Sequence, residues 1–159
     1  MEHRLDPWLI LAVVGLLGAS LPTLHSVSRV VGTNLLLRQL MWGIAGLVIL
    51  WLMSRVRVDI YERAAPFLYA IGLVVLVAVL VFGVARGGNR AWIALGPVTV
   101  QPSEFARLST ILLTAAWVAS RGARNLRIYQ AAVTATIVAA PVFLIILEPD
   151  LGVVLTYVP

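Results

Sequence analysis

The sequence predicts an all-α fold: a polytopic membrane helix bundle of about five spans plus the start of a sixth. Three observations predict it. Hydrophobic residues make up 61% of the chain and charged residues only 12%, with a mean hydropathy of +0.99, whereas roughly a quarter of the residues in a water-soluble domain are charged. Uncharged runs cover 8–24, 40–53, 64–85, 108–120 and 128–147, and about 20 apolar residues cross a hydrocarbon core. The segments between the runs are short and collect the arginines and most of the turn residues.

The first run follows Arg4, as a signal peptide would, but Glu2 and Asp6 dilute its positive flank and four more runs come after it, so it reads as a span. The second and fourth reach spanning length only with their polar flanks. Gly15, Gly18, Gly43, Gly46 and Gly72 lie inside spans, where small residues permit close helix packing. Asp59 and Glu62 are expected in a solvated loop after the second span. Nine residues follow Asp150; at 1.5 Å each they cover less than half of a roughly 30 Å core. Residues 1–159 are therefore expected to form a single transmembrane domain that stops inside a sixth span.

All twelve basic residues are arginine. Because successive loops alternate sides, Arg4, Arg55, Arg57, Arg63, Arg121, Arg124 and Arg127 share one side, and Arg29, Arg38, Arg86, Arg90 and Arg107 the other. The positive-inside rule assigns the first group, with the amino terminus, to the cytoplasm. The arginine-dense stretches 55–63 and 121–127 read as topology signals in contact with anionic lipid headgroups, so nucleic acid is not expected as a partner despite a pI near 10.7. Cysteine is absent, which excludes disulfides and thiolate metal sites. His3 and His25 lack partners at metal-ligand spacing, and there is no Walker-type loop, nucleophile elbow or dinucleotide fingerprint.

With this topology the segment 86–101 and the connection at Glu148-Pro149-Asp150 face the same, outer compartment. Arg86-Gly87-Gly88-Asn89-Arg90 and Leu95-Gly96-Pro97 are turn signals, so the segment is expected to fold back on itself. Trp92 between them suits either an interfacial anchor or a platform for a lipid-linked substrate. Gln101-Pro102-Ser103-Glu104-Phe105-Ala106-Arg107 reads as a helix start. Proline fits the first helical position, and Glu104 meets the unpaired N–H groups and the positive end of the helix dipole. Glu104 and Arg107 are three apart, within ion-pair reach on one face. Glu148-Pro149-Asp150-Leu151-Gly152 repeats the design. Paired carboxylates of this kind can serve acid–base chemistry, bind a divalent cation or hold an arginine, or simply cap helices, and spacing does not choose among these.

Gly-Asn-Arg-Ala-Trp-Ile at 88–93, Gln-Pro-Ser-Glu-Phe-Ala-Arg-Leu at 101–108 and Glu-Pro-Asp-Leu-Gly at 148–152 together resemble the SEDS family of bacterial cell-wall proteins. The short outer loop and Val58-Asp59-Ile60-Tyr61 look more like RodA, the elongation branch, than FtsW, the division branch. The resemblance covers essentially the whole chain but only the amino-terminal half of a fold of about ten spans. It implies a peptidoglycan glycosyltransferase of the bacterial cytoplasmic membrane, which polymerises lipid II at the outer face together with a class B penicillin-binding protein. Arg90, Trp92, Gln101, Pro102, Ser103, Glu104, Arg107 and Asp150 fall at signature positions. Arg107 stands where lysine is usual, and Glu148 where glutamine is usual. The substrate-cavity candidates are thus Arg90, Trp92, Gln101, Ser103, Glu104, Arg107, Glu148 and Asp150. The family's proposed catalytic aspartate lies in a later extracellular loop, beyond residue 159, so residues 1–159 alone are expected to lack activity.

Two other classes compete. A lipid II flippase needs charge along a path across the bilayer, but here charges cluster at the ends of the apolar runs and the middles carry none. A non-catalytic scaffold would hold the penicillin-binding partner through membrane helices alone.

Overall fold

The computed structural model describes residues 6–31, 34–86, 89–96, 98–121 and 128–157. Glu2, His3, Arg4, Gly87, Gly88, Pro97, Arg124, Arg127 and Pro159 lie outside the described residues. Five long helices are present among those described: α1 (Pro7–Val31), α2 (Leu35–Ser54), α3 (Val58–Phe82), α4 (Pro102–Arg121) and α5 (Ile128–Leu147). A short helix, α6 (Leu151–Leu155), follows. Each long helix contains most or all of one uncharged run. α1, α2, α3 and α5 are long and apolar enough to cross a membrane. α4 equals α2 and α5 in length, but Ser103, Glu104, Arg107, Ser109 and Thr110 make its first half more polar.

Two compact units divide the chain, 1–57 and 58–159. In the first, α1 packs against α2. Leu17 lies 3.5 Å from where a Cβ on Gly43 would stand, and Gln39 Nε2 donates to Ser20 Oγ at 3.5 Å. Close packing at Gly15, Gly18 and Gly46 is not found, because no atom comes within 4 Å of a Cβ built on any of them; Gly18 instead lines an open apolar groove with Val14 and Leu47.

In the second unit α3 packs against α4 and α5. At Gly72 α3 and α4 come close together: an added Cβ would lie 2.9 Å from Ser109 Oγ and 3.3 Å from Ala106 Cα. Between α3 and α5 the contact has a specific chemical cause. Pro141 has no N–H to give to the carbonyl one turn earlier, that of Ile137, and in a bilayer such a group must find another partner. Tyr69 supplies it, its hydroxyl donating to the Ile137 carbonyl at 2.8 Å. Leu76 of α3, Ala106 of α4, Ile145 of α5 and Val153 of α6 form the buried cluster. This core ties the end of α3, the start of α4, the end of α5 and α6 together.

Asp59 and Glu62 are not in a loop: α3 begins at Val58, and Asp59 in its first turn complements the positive end of the dipole. The segment expected to fold back on itself does so as a three-stranded antiparallel meander, β1 (Val84–Arg86), β2 (Asn89–Leu95) and β3 (Val98–Val100). Val84 pairs with Trp92, and Ile93, Ala94 and Leu95 pair with Val100, Thr99 and Val98. Gly96 takes φ +63° at the second turn, a conformation glycine adopts without steric cost. At Gly83 a Cβ would meet the Val79 and Arg90 carbonyl oxygens at 2.4 and 2.6 Å, so glycine lets β2 lie directly on the end of α3.

Candidate functional site

α4 starts at Pro102, as the sequence predicts, and the Gln101 carbonyl accepts the Glu104 N–H at 3.2 Å. The Gln101 side chain reaches across to the other acidic connection, its Nε2 donating to Asp150 Oδ2 at 2.7 Å. Asp150 Oδ1 accepts from the Val153 N–H at 3.3 Å and so caps α6. Asp150 is buried, with both carboxylate oxygens engaged. The two acidic helix starts that the sequence assigns to one face are therefore clasped to each other, the start of α4 to the start of α6.

Glu104 and Arg107 form the expected ion pair through Oε2 and Nη2. The other arm of the guanidinium, Nη1, donates to Thr156 Oγ1 at 3.0 Å, and that hydroxyl in turn donates to the Val153 carbonyl at 2.6 Å. Arg107 is thus held from both ends while its side chain stays 30% exposed. It also borders a cavity of about 450 Å³ whose lining includes Thr110, Thr114, Val138, Thr156 and Tyr157. Thr156 and Tyr157 were not among the sequence candidates. The available signal was polar side chains at the end of an otherwise apolar segment.

Glu148 is 1% exposed, and neither carboxylate oxygen has a hydrogen-bond partner among the described residues. Burial, reinforced by the negative charge of Asp150, pushes its carboxyl up to about 7. Ser103 is buried as well, its Oγ without a partner among the described residues. Arg90 and Trp92 sit two apart on β2, hence on one strand face; Ala91 between them is fully buried, Arg90 is exposed and Trp92 half-buried. The structure therefore joins Gln101 to Asp150 and Glu104 to Arg107, and leaves Arg90 on the sheet outside this network. Of the four readings open for the carboxylates, Glu104 holds an arginine and Asp150 caps a helix. Among the described residues no group of three or more His, Cys, Asp or Glu could hold a metal ion.

Residues 4–158 match the FtsW/RodA/SpoVE family, described as cell cycle proteins. The peptidoglycan glycosyltransferase MrdB of Escherichia coli K12 is 32% identical over 149 residues, covering 94% of this chain and 40% of that protein. A probable peptidoglycan glycosyltransferase FtsW from Nitrosococcus halophilus is 31% identical over 158 residues, 94% of this chain and 41% of that protein. The chain thus spans about two-fifths of the length of these curated relatives. Among solved structures, the rod shape determining protein RodA of Thermus thermophilus superposes with a TM-score of 0.83 at 30% identity, covering 96% of this chain and 50% of that one. A chain from a peptidoglycan synthase complex that coordinates polymerization and crosslinking gives 0.74 at 30% identity, with 92% and 44% covered. Together with four apolar helices of spanning length, these likenesses identify a multi-pass membrane protein.

Proposed function

Because the chain belongs to the FtsW/RodA/SpoVE family of cell cycle proteins, we propose that it acts as the amino-terminal part of a peptidoglycan glycosyltransferase that polymerises lipid II during cell elongation. The working protein lies in the bacterial cytoplasmic membrane with its amino terminus inside, and has a class B penicillin-binding protein as partner. Residues 1–159 contribute to one transmembrane domain and are inactive alone.

The observation that carries this reading is the doubly held Arg107 beside its cavity. Transfer from a lipid-linked donor leaves a pyrophosphate, whose developing charge must be stabilised where water is scarce. A guanidinium is a planar fork of five N–H donors suited to phosphate oxygens. Glu104 and Thr156 fix one edge of that fork, which leaves the remaining donors already oriented. Glu104 is then a positioning residue rather than a base. The Gln101–Asp150 clasp keeps the start of α4, and with it Arg107, in place. Arg90 and Trp92 on the meander, with Ser103 and Glu148 near the clasp, complete the proposed substrate cavity.

Lipid II polymerisation by the whole protein with its penicillin-binding partner tests this. Arg107→Gln should lower the rate on the order of a hundredfold, as losing one preorganised donor does in other active sites, while the partner still co-purifies. Unchanged polymerisation refutes the assignment. Loss of partner binding in step with activity favours a scaffold.

A further inference from the structure

Trp51-Leu52-Met53-Ser54-Arg55 and Trp117-Val118-Ala119-Ser120-Arg121 share the pattern Trp-x-x-Ser-Arg. One closes α2 and the other α4. Their geometry repeats too. Ser54 Oγ donates to the Trp51 carbonyl at 2.7 Å and Ser120 Oγ to the Trp117 carbonyl at 2.8 Å. The guanidinium carbon of Arg55 lies 4.8 Å from the Trp51 ring centroid, and that of Arg121 lies 4.2 Å from the Trp117 ring. Both arginines are exposed, and neither has a carboxylate partner among the described residues.

Each part of the pattern has a separate consequence. Each serine hydroxyl bonds back to the tryptophan carbonyl three residues earlier in its own helix, so neither serine engages the arginine. The ring lies against the guanidinium, while the N–H donors stay available for bonds to an anion. Phosphate oxygens match those donors. Tryptophan settles at headgroup depth, which sets the pair where lipid phosphates are. Trp117 Nε1 is buried and has no acceptor among the described residues, so that end offers donors and lacks an acceptor.

We infer that each Trp-x-x-Ser-Arg helix end is a binding site for the phosphodiester of an anionic phospholipid. Arg55 lies in the first unit and Arg121 in the second, and each site is complete within its own helix end. That the lipids are those of the anionic cytoplasmic leaflet rests on the topology proposed above; the recognition of phosphate does not.

The test is native mass spectrometry of the whole purified protein titrated with phosphatidylglycerol or phosphatidylcholine. Arg55→Gln and Arg121→Gln should each weaken phosphatidylglycerol retention about fivefold, the effect of one basic residue at the membrane surface. Arg55→Lys and Arg121→Lys keep the charge but lose the planar fork, and should weaken it about twofold or more. Arg63→Gln removes an exposed arginine that has no tryptophan stacked on it and should leave retention unchanged. Equal losses for Arg63→Gln and Arg121→Gln would reduce the effect to bulk charge and overturn the inference. So would lysine variants that match the wild type, or phosphatidylcholine held as well as phosphatidylglycerol. Displacement of phosphatidylglycerol by soluble glycerol phosphate at equal concentration would make the ligand a free phosphate and overturn the lipid assignment.

Discussion

Replacing Glu148 by glutamine should remove a buried ionisation while keeping the shape of the side chain. The carboxyl is 1% exposed, has no hydrogen-bond partner among the described residues and lies close enough to Asp150 to feel its charge. It titrates at about 7 in the folded protein, against 4.5 when unperturbed. Between those values the folded chain keeps a proton that the unfolded chain has released, so stability falls as pH rises through the window, and the loss is complete and no longer pH-dependent above it. At roughly 1.4 kcal/mol per tenfold change in proton affinity, the full loss is on the order of 3 kcal/mol. Glutamine cannot ionise, and the cost of burying its amide, about 1–3 kcal/mol if unpaired, is the same at every pH. Equilibrium unfolding in mixed micelles at pH 5 and pH 8 measures the difference. Relative to wild type, Glu148→Gln should gain about 2–3 kcal/mol between the two conditions. Parallel pH profiles for the two proteins would refute the reasoning, because they would mean that the native carboxyl is solvated or paired.

The same unfolding assay checks the helix contacts. Gly72→Ala places a Cβ 2.9 Å from Ser109 Oγ and 3.3 Å from Ala106 Cα, forcing α3 from α4 at a cost of about 1–3 kcal/mol; Gly46→Ala, with nothing within 4 Å, should stay within about 0.5 kcal/mol of wild type. Tyr69→Phe deprives the Ile137 carbonyl of the hydroxyl that replaces the missing Pro141 N–H, and should cost roughly 1–3 kcal/mol. Gln101→Leu leaves Asp150 Oδ2 unpaired in a buried site. It should cost about the same and, by loosening the start of α4, lower lipid II polymerisation by the whole protein.

The helices were legible because their signal is repetition. Runs of a dozen or more uncharged residues leave no other structure that satisfies the backbone in lipid, and four of the five runs fall within one helix, the remaining run, 64–85, passing from α3 into β1. Pro102, Glu104 and Arg107 were legible for a local reason, since a helix start constrains residues only one to five positions apart. The meander was not. Ala91-Trp92-Ile93-Ala94-Leu95 has no alternation of apolar and polar residues, so the turns around it were readable but the pairing of Ile93 with Val100 was not. Nor were the partners of the site residues. Gln101 stood among the candidates without its bond to Asp150, and Thr156 was absent from them, because both bonds cross 49 positions of sequence. The glycines mark the same boundary. Composition alone treats Gly46 and Gly72 alike, yet only Gly72 meets a neighbouring helix at close range.

Three carboxylates near one end of the second unit stand in three different surroundings, and that difference limits what each can do in a glycosyl transfer. A general base must reach the acceptor hydroxyl with a free lone pair. Asp150 is buried, with one oxygen on Gln101 and the other on the Val153 N–H. Glu148 has free lone pairs but almost no exposure, and holds its proton up to about pH 7. Glu104 is accessible, but its carboxylate is held in an ion pair with Arg107. None of the three combines reach with availability. The group that does reach the cavity is Arg107, a donor incapable of accepting a proton. On the proposed function, the chemistry these residues offer is electrostatic, holding and polarising a phosphate through Arg107.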